Sequence, residues 1–173
     1  TPARNYGHDL NAMRAAIRPD TRIVWIANPN NPTGNFLPYP EVRAFLEAVP
    51  QDVVVVLDEA YNEYLRPELR TDSVAWVRRH PNLLLSRTFS KAFGLAGLRV
   101  GYGIAQPALT DLLNRVRQPF NVNSAAQAAA VAALAIDEKN TIGHQARPGT
   151  RLYSFRLAAS RAAEKSGRRF RLA

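Results

Sequence analysis

Five consecutive apolar residues, at positions 53–57, lead directly into an aspartate at position 58. A short run this apolar and β-branched is typical of a strand buried on both faces of a parallel sheet. Three similar runs are also predicted to be strands, and stretches with helical periodicity lie between them. The alternation predicts an α/β fold, with a mostly parallel sheet and helices on both faces. The predicted strands are 22–27, 53–58, 82–87 and 99–105, and the predicted helices are 39–49, 108–117 and 124–136.

The composition allows one hydrophobic core and excludes several classes of protein. The 173 residues are 46% hydrophobic and include no cysteine, so disulfides and thiolate metal sites are excluded. The histidines do not cluster with carboxylates at metal-ligand spacing, and no metal site is predicted. No apolar run is long enough to span a membrane, and the first residues show no export signal. We therefore expect a cytoplasmic protein with no membrane partner.

The net charge of +9 comes from the end of the chain. Residues 144–173 hold eight of the 23 basic residues and a single acid, Glu164, whereas the preceding residues are close to balance. This arginine-rich segment lacks the interleaved aromatic residues of nucleic-acid-binding surfaces, so no specific nucleic-acid partner is predicted. We predict a boundary near residue 137, followed by an atypical basic tail over 138–173 that is disordered or comes from a shifted reading frame.

Polar clusters follow three of the predicted strands. They are NPNNPTG at 28–34, DEAY at 58–61 and TFSK at 88–91. Ligands of open α/β sheets bind beyond the carboxyl ends of the strands. Three loops that agree in this way predict a binding site at one edge of the sheet.

These clusters, with the lysine motif extended to TFSKAFGLAGLRVG, resemble the signature of fold-type I (class I/II) pyridoxal-phosphate-dependent aminotransferases. YGHDL at 6–10 and RQPFNVNSAAQAAAVAAL at 117–134 resemble the histidinol-phosphate aminotransferase branch. The resemblance covers about residues 1–136 and implies a partial cofactor-binding large domain over 1–137. It also implies pyridoxal 5'-phosphate as cofactor, an amine and a 2-oxo acid as substrates, a role in histidine biosynthesis, and a homodimer in the complete protein.

Lys91 is the candidate catalytic residue. A primary amine forms a Schiff base with an aldehyde cofactor, and arginine cannot replace it because it does not lose its proton. Most lysines are simply solvated, but this chain has only three among its 23 basic residues. A chain that uses arginine so heavily is expected to keep lysine where an amine is needed.

Asp58 is the candidate partner of the cofactor ring. A carboxylate at the end of a buried strand is costly without a partner, and the resemblance implies that a protonated pyridine nitrogen is that partner. The alternative is a strand-terminal aspartate that caps its own loop. The neighbouring Glu59 is expected to point to the opposite face of the sheet.

The resemblance assigns the remaining cofactor contacts. It implies that Asn31 and Tyr61 hydrogen-bond the phenolic oxygen of the cofactor, and that Thr88, Ser90 and Arg99 hold its phosphate. Each residue also has a purely structural interpretation. For Asn31 it is a turn residue before proline, and for Tyr61 a half-buried core tyrosine. For Thr88 and Ser90 it is a pair of small loop residues, and for Arg99 a surface arginine at the start of a strand.

Other parts of the family pattern are not recognisable in residues 1–173. These parts are an upstream glycine- or serine-containing helix start and a downstream small domain, so the chain alone is expected to be truncated and inactive. Two alternatives stay open. One is a degenerate fragment without catalysis; the other is a different fold-type I enzyme, either another aminotransferase or a decarboxylase of a phosphate-bearing substrate.

Overall fold

A computed structural model describes residues 3–139 and 153–154 of the chain. Within these residues the strands are β1 (Ile23–Ala27), β2 (Val54–Asp58), β3 (Leu83–Thr88), β4 (Gly101–Ile104) and β5 (Tyr153–Ser154). The helices are α1 (Leu10–Ala15), α2 (Tyr39–Ala48), α3 (Val74–Val77), α4 (Pro107–Val116) and α5 (Ser124–Lys139). Short 3₁₀ turns cover Asn62–Tyr64, Pro67–Leu69 and Ala96–Leu98. The described strands form one sheet in the order β1-β2-β3-β4-β5.

The sheet changes direction after β3. Strands β1, β2 and β3 are parallel, with Ala27 opposite Asp58 and Asp58 opposite Ser86, so their carboxyl ends align. Strand β4 is antiparallel to β3, with Thr88 opposite Gly101. A parallel pairing needs a long crossover, whereas the 89–100 connection holds only a loop and one 3₁₀ turn. The α/β class is confirmed, and the sheet is mixed.

Strand β2 is buried on both faces, as its sequence predicts. Val55 and Leu57 are fully buried in the main core, together with residues of α2, β3 and α5. Val56 is 3% exposed and packs on the other face with Leu84, against the partly buried Leu113 of α4. Both faces of β2 are therefore covered by apolar side chains.

The helix ends follow local signals in the sequence. Helices α2 and α4 each have a proline in the first turn, where the missing N–H costs nothing. Helix α1 was not predicted, although the Asp9 side chain caps it by accepting the Ala12 N–H at 3.0 Å. Its six residues are too few to give clear periodicity.

Two further expectations concern the chain as a whole. In the described residues, none of the helices has the length and apolar character needed to cross a membrane. The predicted boundary at residue 137 stays a prediction, because residues 140–152 and 155–173 lie outside the described part of the chain.

Candidate functional site

The candidate site lies at the edge of the sheet where β2 and β3 end. Asp58 is the last residue of β2, Thr88 is the last residue of β3, and Lys91 follows three positions later. The Lys91 Nζ lies over the ring of Tyr61, 5.4 Å from its centroid. The fold therefore brings the predicted catalytic amine to one of the predicted cofactor-binding side chains.

Local hydrogen bonds close the loop that carries Lys91. The Ser90 N–H donates to the Thr88 hydroxyl oxygen at 3.0 Å. The Gly94 N–H donates to the Lys91 carbonyl at 2.9 Å, and Gly94 has a φ of +69°, which favours glycine. Lys91 is exposed and Thr88 and Ser90 are half-buried, so the loop presents an amine and two hydroxyls near the end of β3.

Arg99 lies apart from these hydroxyls in the described hydrogen bonds. It is exposed, adopts the left-handed conformation (φ 52°, ψ 48°) and donates from Nη1 to the Ala96 carbonyl at 2.8 Å. Two residues later, Gly101 lies so close to β3 that an added Cβ would stand 2.8 Å from the Arg87 carbonyl oxygen. The Phe89 N–H also donates to the Val100 carbonyl at 3.2 Å, so the residue after Arg99 is joined to the start of the Lys91 loop, while the Arg99 guanidinium bonds locally.

Asp58 is a half-buried carboxylate, and the hydrogen bonds that it accepts do not offset the cost of burying its charge. Burial raises the pKa of Asp58 above its ordinary value and the charge of Glu59 adds to the rise, against hydrogen bonds from the Ala60 N–H and the Trp25 side chain. The bond from the Ala60 N–H to Asp58 Oδ1, at 3.1 Å, is the loop cap expected if Asp58 is a strand-terminal aspartate that caps its own loop. Asp58 therefore caps its own loop, and its role toward the cofactor ring stays a prediction.

The loop after β1 is braced by a residue that the sequence analysis did not single out. Asn28 is fully buried; its amide accepts from the Leu37 N–H at 2.8 Å and donates to the Leu37 carbonyl at 3.0 Å. The Asn30 side chain donates to the Thr33 hydroxyl at 2.7 Å, which makes Asn30 a turn residue. The predicted cofactor ligand, Asn31, is exposed.

A buried ion pair lies directly behind the site. Glu59 points away from the Asp58 face, as expected, and its Oε2 accepts from Arg87 Nη2 at 2.7 Å and from Nε at 2.9 Å. The side chains are 0% and 7% exposed. The sequence analysis missed this pair, although a signal exists. Glu59 directly follows β2 and Arg87 lies within β3, and each is next to a predicted site residue.

Metal binding has no support in the described residues, where His, Asp and Glu form no group of three that could hold an ion. The side chains at the site are instead an amine, a carboxylate, a phenol and hydroxyls. This set suits an organic ligand with an aldehyde, a basic ring nitrogen and acceptor oxygens.

Comparison with known proteins decides the family. The sequence profile of the family described as "Aminotransferase class I and II" matches residues 1–149. The chain belongs to this aminotransferase family. The family predicted from the three motifs is therefore confirmed.

One curated relative of this aminotransferase chain is histidinol-phosphate aminotransferase 1 from Dechloromonas aromatica (strain RCB). The two are 77% identical over 134 residues, which is 78% of the chain and 37% of the relative. The chain thus spans little more than a third of that protein's length.

Solved structures show the same fold. The histidinol-phosphate aminotransferase from Sinorhizobium meliloti, in complex with pyridoxal-5'-phosphate, superposes with a TM-score of 0.73 at 36% identity. It is matched over 80% of the aminotransferase chain and 38% of its own. L-threonine-O-3-phosphate decarboxylase from Porphyromonas gingivalis has a TM-score of 0.61 at 28% identity, covering 73% of the chain and 41% of its own.

Proposed function

We propose that this chain is the cofactor-binding part of a pyridoxal-phosphate-dependent aminotransferase that acts on histidinol phosphate with 2-oxoglutarate as amino acceptor. The observation that carries the proposal is the position of Lys91. Its amine lies over the Tyr61 ring at the sheet edge where Asp58 ends β2, in a chain of this family.

The residues present fit the cofactor. Among the described residues no salt bridge joins Asp58, whose pKa burial raises, and a protonated ring nitrogen would supply a countercharge. The exposed amine of Lys91 is free to reach an aldehyde. When bound, pyridoxal phosphate supplies an electron sink that makes the substrate α-carbon acidic. The proposed contacts are Lys91 for the aldehyde carbon, Asp58 for the ring nitrogen, Asn31 and Tyr61 for the phenolic oxygen, and Thr88, Ser90 and Arg99 for the phosphate.

Each side chain has a defined task in this proposal. With substrate in its place on the aldehyde carbon, the Lys91 Nζ would accept the proton that leaves the substrate α-carbon and would deliver it to that former aldehyde carbon, as amino transfer requires. Asp58 stays ionised because a positive partner lowers its pKa, reversing the rise that burial causes. Tyr61 holds the lysine head group over its ring, and its O–H would donate a hydrogen bond to the phenolic oxygen of the cofactor.

The choice of substrate rests on relatedness. The 77% identity to the Dechloromonas histidinol-phosphate aminotransferase far exceeds the 28% identity to the phosphothreonine decarboxylase. Cofactor contacts alone do not separate these reactions, because enzymes of one fold share them.

We also propose that the complete protein is a cytoplasmic homodimer, by resemblance to the family. Light scattering on the purified protein measures its mass.

The test compares two reactions on one protein sample. The complete protein, of which this chain is proposed to be the cofactor-binding part, is incubated with pyridoxal phosphate, histidinol phosphate and 2-oxoglutarate, and glutamate is measured. Phosphothreonine replaces histidinol phosphate in a parallel reaction that follows released CO₂. Glutamate formation that Lys91→Ala abolishes supports the proposal. CO₂ release favours the decarboxylase, and no product from either reaction favours a non-catalytic fragment.

A further inference from the structure

Two charged residues stand next to the proposed cofactor-binding residues without facing the cofactor side of the sheet. Glu59 follows Asp58 at the end of β2, and Arg87 precedes Thr88 at the end of β3. Successive side chains of a strand point to opposite faces, so the pair lies behind the sheet edge that carries the site. Glu59 is 0% exposed and Arg87 is 8% exposed.

The pair joins several elements. Ser73, just before α3, donates to Glu59 Oε2 at 3.0 Å and accepts from Arg87 Nη2 at 3.2 Å. Tyr102 of β4 lies opposite Arg87 and hydrogen-bonds its side chain. Burial disfavours the Arg87 charge, but the Glu59 carboxylate and the Tyr102 hydroxyl outweigh it and raise the pKa of Arg87. The guanidinium therefore stays charged and bound.

A buried ion pair is a poor source of stability in itself, because apolar residues of the same size often stabilise a fold equally well. What a planar guanidinium provides is direction, because its donors lie in a fixed fork. Here the fork points from β3 to the end of β2, and the Glu59 N–H donates to the Ser86 carbonyl at 2.8 Å. Side-chain and backbone bonds together fix how far the end of β2 lies from the end of β3.

We propose that the Glu59–Arg87 pair is a positioning device for the cofactor: it sets the distance between the Asp58 carboxylate and the Thr88–Lys91 loop. The inference rests on the proposed function, because Asp58 and Lys91 are the residues that would hold the two ends of the cofactor ring. Glu59 and Arg87 act through these neighbours and touch neither cofactor nor substrate.

The test uses the double variant Glu59→Leu/Arg87→Met, which replaces the pair with apolar side chains of similar length. Three properties are measured: the melting temperature, the dissociation constant for pyridoxal phosphate, and the pH midpoint of the visible absorption band of the bound cofactor. The matched control is Arg43→Met/Glu47→Leu, which removes an exposed ion pair of α2 with a separation of 3.9 Å.

We expect the double variant to melt near the parent temperature yet bind pyridoxal phosphate about tenfold or more weakly, since small misplacements of aligned groups are costly. Its pH midpoint should also shift, whereas the control keeps both values. If the double variant folds and keeps the parent affinity and midpoint, the pair does not position the cofactor-binding residues and the inference is wrong.

A second variant covers the case in which the apolar pair does not fold. Arg87→Lys keeps a buried cation beside Glu59 but loses the planar fork. It should weaken cofactor binding and shift the pH midpoint in the same direction, and parent values in this variant would overturn the inference. A parent protein that forms no visible band with pyridoxal phosphate would instead refute the proposed function, and with it the basis of this inference.

Discussion

The ammonium group of Lys91 lies over the face of the Tyr61 ring, although the two residues follow different strands of the sheet. A cation over an aromatic face is held by the ring's electrostatic field without fixing any hydrogen atom. The amine is thus kept in place while its protons remain available. This arrangement distinguishes Lys91 from a lysine that is only solvated.

Lys91 should be the site of covalent attachment. Treatment with pyridoxal phosphate and then borohydride should give one reduced adduct, which peptide mass spectrometry places on Lys91. Lys139, the last residue of α5, is the internal control. An adduct on Lys139 or Lys165 in place of Lys91 would refute the assignment.

Asp58→Asn should have opposite effects on stability and on function. The raised pKa of Asp58 means that its ionised form is disfavoured in the folded chain, so its stability contribution is lost as pH rises through that pKa. Without cofactor, the variant should therefore melt above the parent at pH 7, and the difference should shrink toward pH 4. In the complete protein with cofactor bound, turnover should fall by about a hundredfold or more, as when one charge-stabilising group is removed from an active site. The exposed Asp52→Asn is the control, and unimpaired turnover in Asp58→Asn would remove Asp58 from its proposed role.

Mild acidification should lower the stability of the folded chain, because the contribution of His8 is lost. Its Nε2 accepts the Ala27 N–H at 3.2 Å, and burial lowers the pKa of His8 below 6.5. A lowered pKa means that the contribution is complete above pH 6.5 and is lost as pH falls through the folded-state value. His8→Gln keeps an acceptor that does not titrate, so its melting temperature should depend less on pH between 7.5 and 5. An unchanged pH dependence in His8→Gln would contradict this origin.

Gly101→Ala should be clearly destabilising. Its Cβ would stand 2.8 Å from the Arg87 carbonyl oxygen, a contact that only a shift of β3 or β4 can relieve. We expect a loss of about 1–3 kcal/mol in the free energy of unfolding, the usual range for overpacking. Gly97→Ala is the matched control, since nothing lies within 4 Å of its added Cβ. Urea titration of both variants measures the difference, and equal midpoints would contradict the expectation.

The sequence predicts strands well where burial on both faces leaves an unmistakable apolar run. Strand β2 begins one residue later than predicted and ends at the predicted Asp58. The reversal at β4 was not predicted, because a strand's own residues do not state its direction. That information lies in the length of the connection before it.

The candidate site shows the same division. The motifs locate Lys91, Asp58 and Tyr61 because each follows a strand that the sequence identifies. They do not reveal the Glu59–Arg87 pair, since its partners lie 28 residues apart and only the parallel register of β2 and β3 brings them together. Contacts across parallel strands depend on register, which a single sequence leaves unstated.

The reversal between β3 and β4 has a consequence for the order in which the site assembles. Thr88 pairs with Gly101 across a short antiparallel connection, so the Lys91 loop forms with little loss of chain entropy. Asp58 reaches its place only when β2 pairs with strands 28 or more residues away in sequence. On partial unfolding, we therefore expect the aldehyde-reactive lysine to keep its local geometry after the carboxylate has lost its own. An aldehyde would then still attach to Lys91 under conditions in which the Asp58 carboxylate is no longer aligned with it.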